Sequence, residues 1–506
     1  MTSSWLLTLP IGIPLFTLAV CALCWRSTAL QRWINLAGSL ALLAAAVALV
    51  GATRGGEILA TQFGHWAPPF GITFVADMLA AAMVLITAIM AVAVSVYGFA
   101  PGESGPRHAF YHPLLQGLLL GVIGAFLTGD IFNMYVWFEI MLISSFGLLA
   151  VDATREQLDA GVKYVALNLI MTTVFLIAIG FLYGATGTLN MADLARVLPE
   201  HGNPGLVMTL AVMFLIAFGS KAALFPLFFW LPASYHTANT PVLAIFAALL
   251  TKVGVYAILR CFTLLFPVEG TFLVPVIGVI AALTMVTGVL GAAAHFDIRR
   301  ILSFHIISQI GYMLVGVMIA TPLALAGAVL YVIHHIIVKA NLFLIGGAIA
   351  RVGGSYDLKR IGGLQRKAPL LALLFAVPAL SLAGLPPLSG FWAKFLVIKP
   401  SLDTGQVAMA VVALAVGVLT LFSMVKIWNE AFWKPAPDAA LAQTAERRVA
   451  GAMLLPIAAL ALITLTIGLY PEPFVTYAEL AADQLLHPAT YVEAVTSAYV
   501  LPGETP

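Results

Sequence analysis

Charge is the scarcest thing in this sequence. Asp, Glu, Lys and Arg make up 9% of 506 residues, against 62% hydrophobic. Soluble domains carry roughly 25% charged residues because their surfaces face water, so a water-soluble globule is excluded and lipid is the solvent. A net charge of +2 is too small to mark nucleic acid as a partner. Three cysteines cannot build a disulfide framework or hold a cluster. Cys21 and Cys24 are spaced CxxC but fall in the first apolar run, where small cysteines pack. There is no Walker A motif, since Gly219-Ser220-Lys221 lacks the upstream glycine spacing and lies in an apolar run. Nor is there a GxGxxG between strand and helix, or a cysteine set for an iron–sulfur cluster. The expectation is a chain with no cofactor and no metal, which neither hydrolyses nucleotide nor carries electrons. Its energy must come from an ion gradient or from associated subunits. Only Met1-Thr2-Ser3-Ser4 precedes the first run, without a basic n-region, so that run reads as a retained helix.

Long apolar runs are abundant. A bilayer-crossing helix needs about 20 apolar residues, and such runs occur near 5–24, 33–51, 72–99, 112–128, 131–150, 162–184, 205–231, 240–265, 272–294, 300–320, 323–350, 369–398, 407–430 and 450–470. The fold class is therefore an all-α polytopic membrane protein of about 14 transmembrane helices, one membrane domain over 1–506. A very short turn must separate two spans at Gly129-Asp130. With the N-terminus outside, the inside loops hold most basic residues, including Arg299-Arg300, Lys359-Arg360, Arg366-Lys367 and Arg447-Arg448. The outside loops then hold only Arg54, Arg196, Arg260 and Lys399. The positive-inside rule thus places both termini outside.

Five lysines fall inside apolar runs: Lys221, Lys252, Lys339, Lys394 and Lys426. A lysine at mid-membrane costs about 2.5–3.5 kcal/mol on insertion scales, so each needs a use or a partner. Lys221 precedes Pro226, and Lys394 follows Pro386, Pro387 and Gly390. Proline removes a backbone donor and breaks the helix, so each lysine sits beside a break, as its cap or as a functional charge. Lys394 follows Lys221 by nearly the interval at which Lys426 follows Lys252. Two interrupted helices in corresponding positions predict repeated transporter units, spanning 112–265 and 272–430, with 1–99 and 450–470 flanking them. Glu139 is the one acid deep in a run; its expected partner is Lys221, or else a hydroxyl such as Ser144. Asp77 and Asp130 lie near run ends and read as interfacial. Lys426 and Glu430, at i, i+4, are spaced to pair at the inner edge or to take part in function.

His334, His335 and Lys339 share one run, with His335 and Lys339 on one face. Histidine titrates near neutrality and both donates and accepts, which suits a proton relay; no cluster nearby completes a metal site. In the preceding run His305, Ser308, Gln309 and Tyr312 form one polar stripe, able to orient water or to hold helices together.

These residues lie in FNMYVWFEIMLISS, GSKAALFPLFFWLP, ANTPVLAIFAALLTKVGVYAILR, YVIHHIIVKANLFLIGG and LAGLPPLSGFWAKF. In them the chain resembles the antiporter-like subunits shared by respiratory complex I and the Mrp-type multisubunit cation/proton antiporters. The resemblance covers most of 72–430 and implies fourteen helices with two inverted five-helix repeats, each with one broken helix. Within that family the D-type (MrpD) subunits are most similar. FGHWAPPFGITFVADMLAAAM matches their pattern, Phe228 stands where complex I subunits usually carry histidine, and Lys394 replaces the glutamate of one of them. The chain also stops soon after its fourteenth run, without a long lateral helix.

The resemblance implies a proton route. Glu139 and Lys221 would form the first half-channel pair, Lys252 the mid-membrane connection, then His334, His335 and Lys339, with Lys394 ending the second half-channel. Burial disfavours a lysine's charged form and a nearby carboxylate restores it, so a pair that closes and opens can pass a proton on. The implied partners are MrpA-, MrpB-, MrpC-, MrpE-, MrpF- and MrpG-like subunits, with H+ and Na+ as the ions, in a bacterial inner membrane. The alternative is a proton-pumping subunit of complex I or a membrane-bound hydrogenase.

Overall fold

The computed structural model describes residues 4–103, 105–437 and 449–498, so Arg447 and Arg448 lie outside the described residues. Apolar runs become helices because lipid offers backbone groups no partner, and a helix satisfies them internally. The membrane helices are α1 (Ser4–Leu23), α2 (Thr28–Thr53), α3 (Met78–Tyr97), α4 (Tyr111–Leu127), α5 (Ile131–Leu149), α6 (Arg155–Thr186) and α7 (Pro204–Ala222). They continue with α8 (Thr240–Leu264), α9 (Leu273–Ala294), α10 (Ile298–Ile319), α11 (Pro322–Gly353), a broken α12, α13 (Val407–Trp433) and α14 (Gly451–Leu469). The halves of α12 are Pro369–Ala383 and Ser389–Asp403. Among the described residues twelve helices are long and apolar enough to cross a membrane, and the shorter α4 and first half of α12 bring the set to fourteen.

Helix starts follow capping chemistry. Asp77, Asp130, Thr154, Asn203, Asp297 and Thr321 each accept a backbone N–H in the first turn. Asp130 makes the tight α4–α5 turn possible, because its carboxylate accepts from Asn133 N at 2.7 Å and restarts the helix at once.

Burial sorts the helices into centre and rim. The apolar windows of α8, α10 and α11 are 100%, 94% and 100% buried, while those of α1 and α6 are 33% buried. The central three carry Lys252, His305, His334, His335 and Lys339. Close contact at the centre relies on glycine. A Cβ on Gly254 of α8 would lie 2.5 Å from Ala222 N and 2.9 Å from the Lys221 carbonyl carbon, so α8 meets α7 backbone to backbone just beside Lys252.

Several expectations change. The run from residue 72 does not begin as helix: Thr73–Ala76 is a strand, antiparallel to Leu59–Gln62, and the helix starts at Met78. Beyond α14 the described chain continues in two helices, α15 (Glu472–Leu486) and α16 (Pro488–Ser497). α15 packs on the start of α3, where Gln484 accepts from Met78 N and Tyr477 donates to its carbonyl.

Arg260 and Asp77 also differ from expectation. Arg260 belongs to no outside loop but to the last turns of α8, and Asp77, the N-cap of α3, is its partner. Both are buried and ion-paired. Arg260 is further held by the Tyr256 hydroxyl and by the Tyr491 ring of α16, 5.2 Å away. A guanidinium this deep is tolerable only with a carboxylate against it.

Candidate functional site

The first break follows α7. Its last turn holds Lys221, the helix ends at Ala223 in the left-handed conformation, and the chain passes Pro226 before Trp230–Ser234 resumes helix. Trp230 Nε1 closes the gap by donating to the Ser220 carbonyl at 3.0 Å. Lys221 is 4% exposed, with the Phe138 ring 5.7 Å from its Nζ. Glu139 lies within electrostatic reach of Lys221, but the two are not in contact. Glu139 Oε1 is buried without a hydrogen-bond partner, while the residue as a whole is half-buried. The structure thus shows the expected pair apart. Ser144 is not its substitute partner either.

The central stretch begins at Lys252, fully buried on α8. Just before it, Phe246–Leu250 widens into a π-turn, and Lys252 Nζ donates to the Ala247 carbonyl there. π-turns leave carbonyls off the helical ladder and recur at functional sites. Lys252, His334, Lys339 and His305 all lie within electrostatic reach of His335, and Lys339 donates to the Leu302 carbonyl at 3.2 Å. Many polar atoms here have no protein partner: both ring nitrogens of His305 and His335, His334 Nε2, Thr251 Oγ1 and both amide atoms of Asn341. Buried polar groups are rarely left so. A string of them with exchangeable protons is suited to bridging by water.

The second break lies between Ala383 and Ser389. His334 Nδ1 is 2.8 Å from Ser389 Oγ, which is 2.9 Å from Ser381 Oγ. Ser381 Oγ in turn accepts from Gly390 N at 3.1 Å, so His334 is tied to both halves of α12. Lys394 Nζ crosses the break and donates to the Ala383 carbonyl at 2.9 Å. The Tyr312 ring is 5.0 Å from the same ammonium. Lys394 also lines a groove of about 310 Å³ between α12 and α13, with Gly384, Phe395 and Gly417.

Lys221 precedes its break and Lys394 follows its own, so equal spacing in sequence does not give equal places on the helices. Lys221 nevertheless belongs to the last turn of its half-helix, and the Lys394 ammonium reaches the last carbonyl of the other, the end where the helix dipole favours a cation.

The polar stripe of α10 divides. Ser308 Oγ bonds the Met285 carbonyl of α9 and ties the two helices. Gln309 accepts from the Tyr331 hydroxyl, Tyr331 stacks on Tyr312, and His305 lies within electrostatic reach of Lys339 and Lys394. Lys426 does not pair with Glu430. It donates to the carbonyls of Ala292, Ala293 and His295, capping α9, while Glu430 pairs with Lys434. The three orphaned carbonyls of a helix end outcompete one carboxylate because they surround the ammonium. Among the described residues no cluster of His, Cys, Asp and Glu could hold a metal.

Sequence reasoning missed Thr251, Asn341 and the Asp77–Arg260 pair. Arg260 is flanked by Leu259 and the apolar Cys261-Phe262, and Asn341 lies two residues past Lys339 in an apolar run. Both were visible as polar residues within predicted spans.

Comparisons with known proteins show the family. The family model described as NADH:quinone oxidoreductase/Mrp antiporter, TM, matches residues 128–420. The D-type Na(+)/H(+) antiporter subunit of Alkalihalophilus pseudofirmus is 44% identical over 97% of this chain and 99% of its own length. The D-type subunit of Bacillus subtilis is 38% identical over 96% and 98%. Among solved structures, a chain of the Mrp complex from Dietzia sp. superposes with a TM-score of 0.90 at 34% identity, covering 97% of this chain and 99% of that one. A chain of the membrane-bound sulfane sulfur reductase, an archaeal respiratory membrane complex, gives 0.90 at 27% identity, covering 97% and 100%. This chain belongs to the family of D-type Na(+)/H(+) antiporter subunits, within the transmembrane family shared by NADH:quinone oxidoreductase and the Mrp antiporters.

Proposed function

We propose that the chain is the proton-translocating subunit of a multisubunit Na+/H+ antiporter, a transporter rather than an enzyme. Its partners are the other Mrp-type subunits, and the D-type relatives and the Mrp-complex fold support this assignment. The observation that carries the mechanism is the row of Lys221, Lys252, His335, Lys339, His305, His334 and Lys394, none more than 6% exposed. Between its members lie polar atoms without protein partners.

Protons pass from the Glu139–Lys221 pair to Lys252, then through the histidines and Lys339 to Lys394. Each step exchanges one proton between an amine or imidazole and a bridging water, so charge is conserved along the row. Lys221 and Lys394 terminate two half-channels in repeats spanning 112–265 and 272–430. The chain sits in the cell membrane with its basic loops inside.

Glu139→Ala or Lys221→Ala is expected to abolish sodium/proton exchange in vesicles while the complex still assembles. Wild-type exchange by either variant refutes the relay. A redox-driven proton pump is the second reading, supported by the likeness to the archaeal respiratory complex. Neighbouring genes for flavin and iron–sulfur proteins, in place of small antiporter subunits, would favour it.

A further inference from the structure

The gap in α12 holds two serines that no step above uses. Ser381, Ser389 and the His334 ring they meet are each no more than 1% exposed. Ser389 Oγ lies 2.8 Å from His334 Nδ1 and 2.9 Å from Ser381 Oγ, and Ser381 Oγ accepts from Gly390 N at 3.1 Å. Among the described residues neither hydroxyl has any other hydrogen-bond partner. Gly390 lets the ring and both hydroxyls meet. A Cβ there would overlap the Ser381 carbonyl oxygen and stand 3.0 Å from His334 Cε1.

Counting donors gives these bonds a direction. A backbone N–H only donates, so Gly390 N uses Ser381 Oγ as an acceptor and leaves the Ser381 hydrogen to be placed. Its one acceptor is Ser389 Oγ. The Ser389 hydrogen is then left with His334 Nδ1. In this order every donor is satisfied. In the reverse order Nδ1–H donates to Ser389 and Ser389 donates to Ser381, which strands the Ser381 hydrogen in a fully buried place. A buried donor without an acceptor costs its full desolvation, so the first order holds. A neutral imidazole carries one hydrogen, and with Nδ1 accepting it must sit on Nε2. Nε2 has no hydrogen-bond partner in the protein.

We propose that Ser381 and Ser389 are positioning residues that fix neutral His334 as the Nε2–H tautomer, with its one bare nitrogen facing α12. The resting ring then offers a donor at Nε2, and a proton it gains must be held at Nδ1, against Ser389. In the charged ring Nδ1–H donates to Ser389, whose hydroxyl turns to Ser381. The ring gains one hydrogen and neither serine gains or loses one. The serine pair thus serves both forms of the ring, with its full set of hydrogen bonds only in the neutral one. The titratable groups around the ring are Lys394 of α12 and, on α11 itself, Lys339, His335 and Tyr331, whose ring stands edge-on at 5.9 Å. The consequence for transport rests on the relay reading above; the tautomer rests on the hydrogen bonds alone.

The test reads the ring nitrogens directly. The assembled complex, isotope-labelled at the histidine nitrogens and reconstituted in vesicles, gives the His334 resonances as those lost in His334→Gln. With the ring neutral, hydrogen is expected on Nε2 and none on Nδ1. Ser381→Ala removes the hydrogen that orders the pair, and a share of Nδ1–H is expected to appear. Hydrogen on Nδ1 in the parent, or a Ser381→Ala spectrum identical to the parent's, overturns the assignment. In transport, Ser389→Ala takes from the charged ring its hydrogen-bond acceptor, so antiport is expected to fall on the order of tenfold. Ser389→Thr is expected to restore most of it. A Ser389→Ala complex of normal abundance with the parent's rate, or a Ser389→Thr complex as slow as Ser389→Ala, overturns the positioning role. An active Lys221→Ala sinks the relay separately, while the nitrogen spectrum judges the tautomer either way.

Discussion

The residue that most tests these ideas outside the relay is Arg260. Its guanidinium lies against Asp77, under the ring of Tyr491, and beside a Tyr256 hydroxyl that itself donates to the Phe126 carbonyl at 2.6 Å. Removing one member of a buried ion pair strands the other charge, at about 3–5 kcal/mol. Arg260→Gln should therefore lower the thermal midpoint of the solubilised complex markedly, and Asp77→Asn in the same chain should recover most of the loss. An Arg260→Gln complex as stable as the parent would show that Asp77 finds water or another partner. At this scale the five lysines within apolar runs were legible, because a charge among apolar neighbours is conspicuous in any sequence. Arg260 was misplaced because it sits near the end of a run, where a loop was expected. The Lys426–Glu430 pairing failed for a different reason. Spacing on one helix says nothing of carbonyls offered by another, and the helix turns π-shaped from Asn429, which changes the register of the very pair being counted.

Among elements, the contact of α7 with α8 matters most, since it sets Lys221 beside the helix of Lys252. Gly254 allows it. A methyl there would meet the backbone of Ala222, and overpacking of this kind costs about 1–3 kcal/mol. Gly254→Ala should slow antiport, whereas Gly180→Ala on α6, where a Cβ would meet nothing within 4 Å, should leave it unaltered. Equal effects of the two substitutions on vesicle exchange would contradict the role given to the α7–α8 approach. Both breaks were readable from Pro226 and Pro386-Pro387, because proline cannot continue the ladder. The π-turn before Lys252 was not, for FAALL is as good an α-helix as any in the chain. The strand Thr73–Ala76 was hidden too: three apolar residues just before a helix extend its run without changing its look.

For the molecule as a whole, burial separates a centre from a rim, with α8, α10 and α11 enclosed by the rest. Sequence could show which runs were apolar but not which were enclosed, because in lipid both kinds are equally greasy. The two closing helices escaped notice because their mixed faces resemble a solvated tail. α15 turns Ala478, Ala481, Ala482 and Leu485 inward, and α16 turns Tyr491, Val492 and Val495 inward. Ending the chain after Tyr470 should therefore uncover the Asp77–Arg260 pair and weaken the α3–α8 end of the bundle. The measurable result is faster loss of the complex on warming in detergent; unchanged survival would mean these helices are ornamental.

A last consequence follows from the Lys394 ammonium resting on the Ala383 carbonyl across the gap in α12. Discharge that amine and the backbone oxygen loses its strongest hold on the other segment; recharge it and the two segments are drawn together again. If Lys394 carries the proton as proposed, that proton acts as a mechanical load on the gap, which His334 also grips through Ser389. Chemistry at one nitrogen can thereby be felt as torque by the neighbouring helix, with no large rearrangement of the bundle.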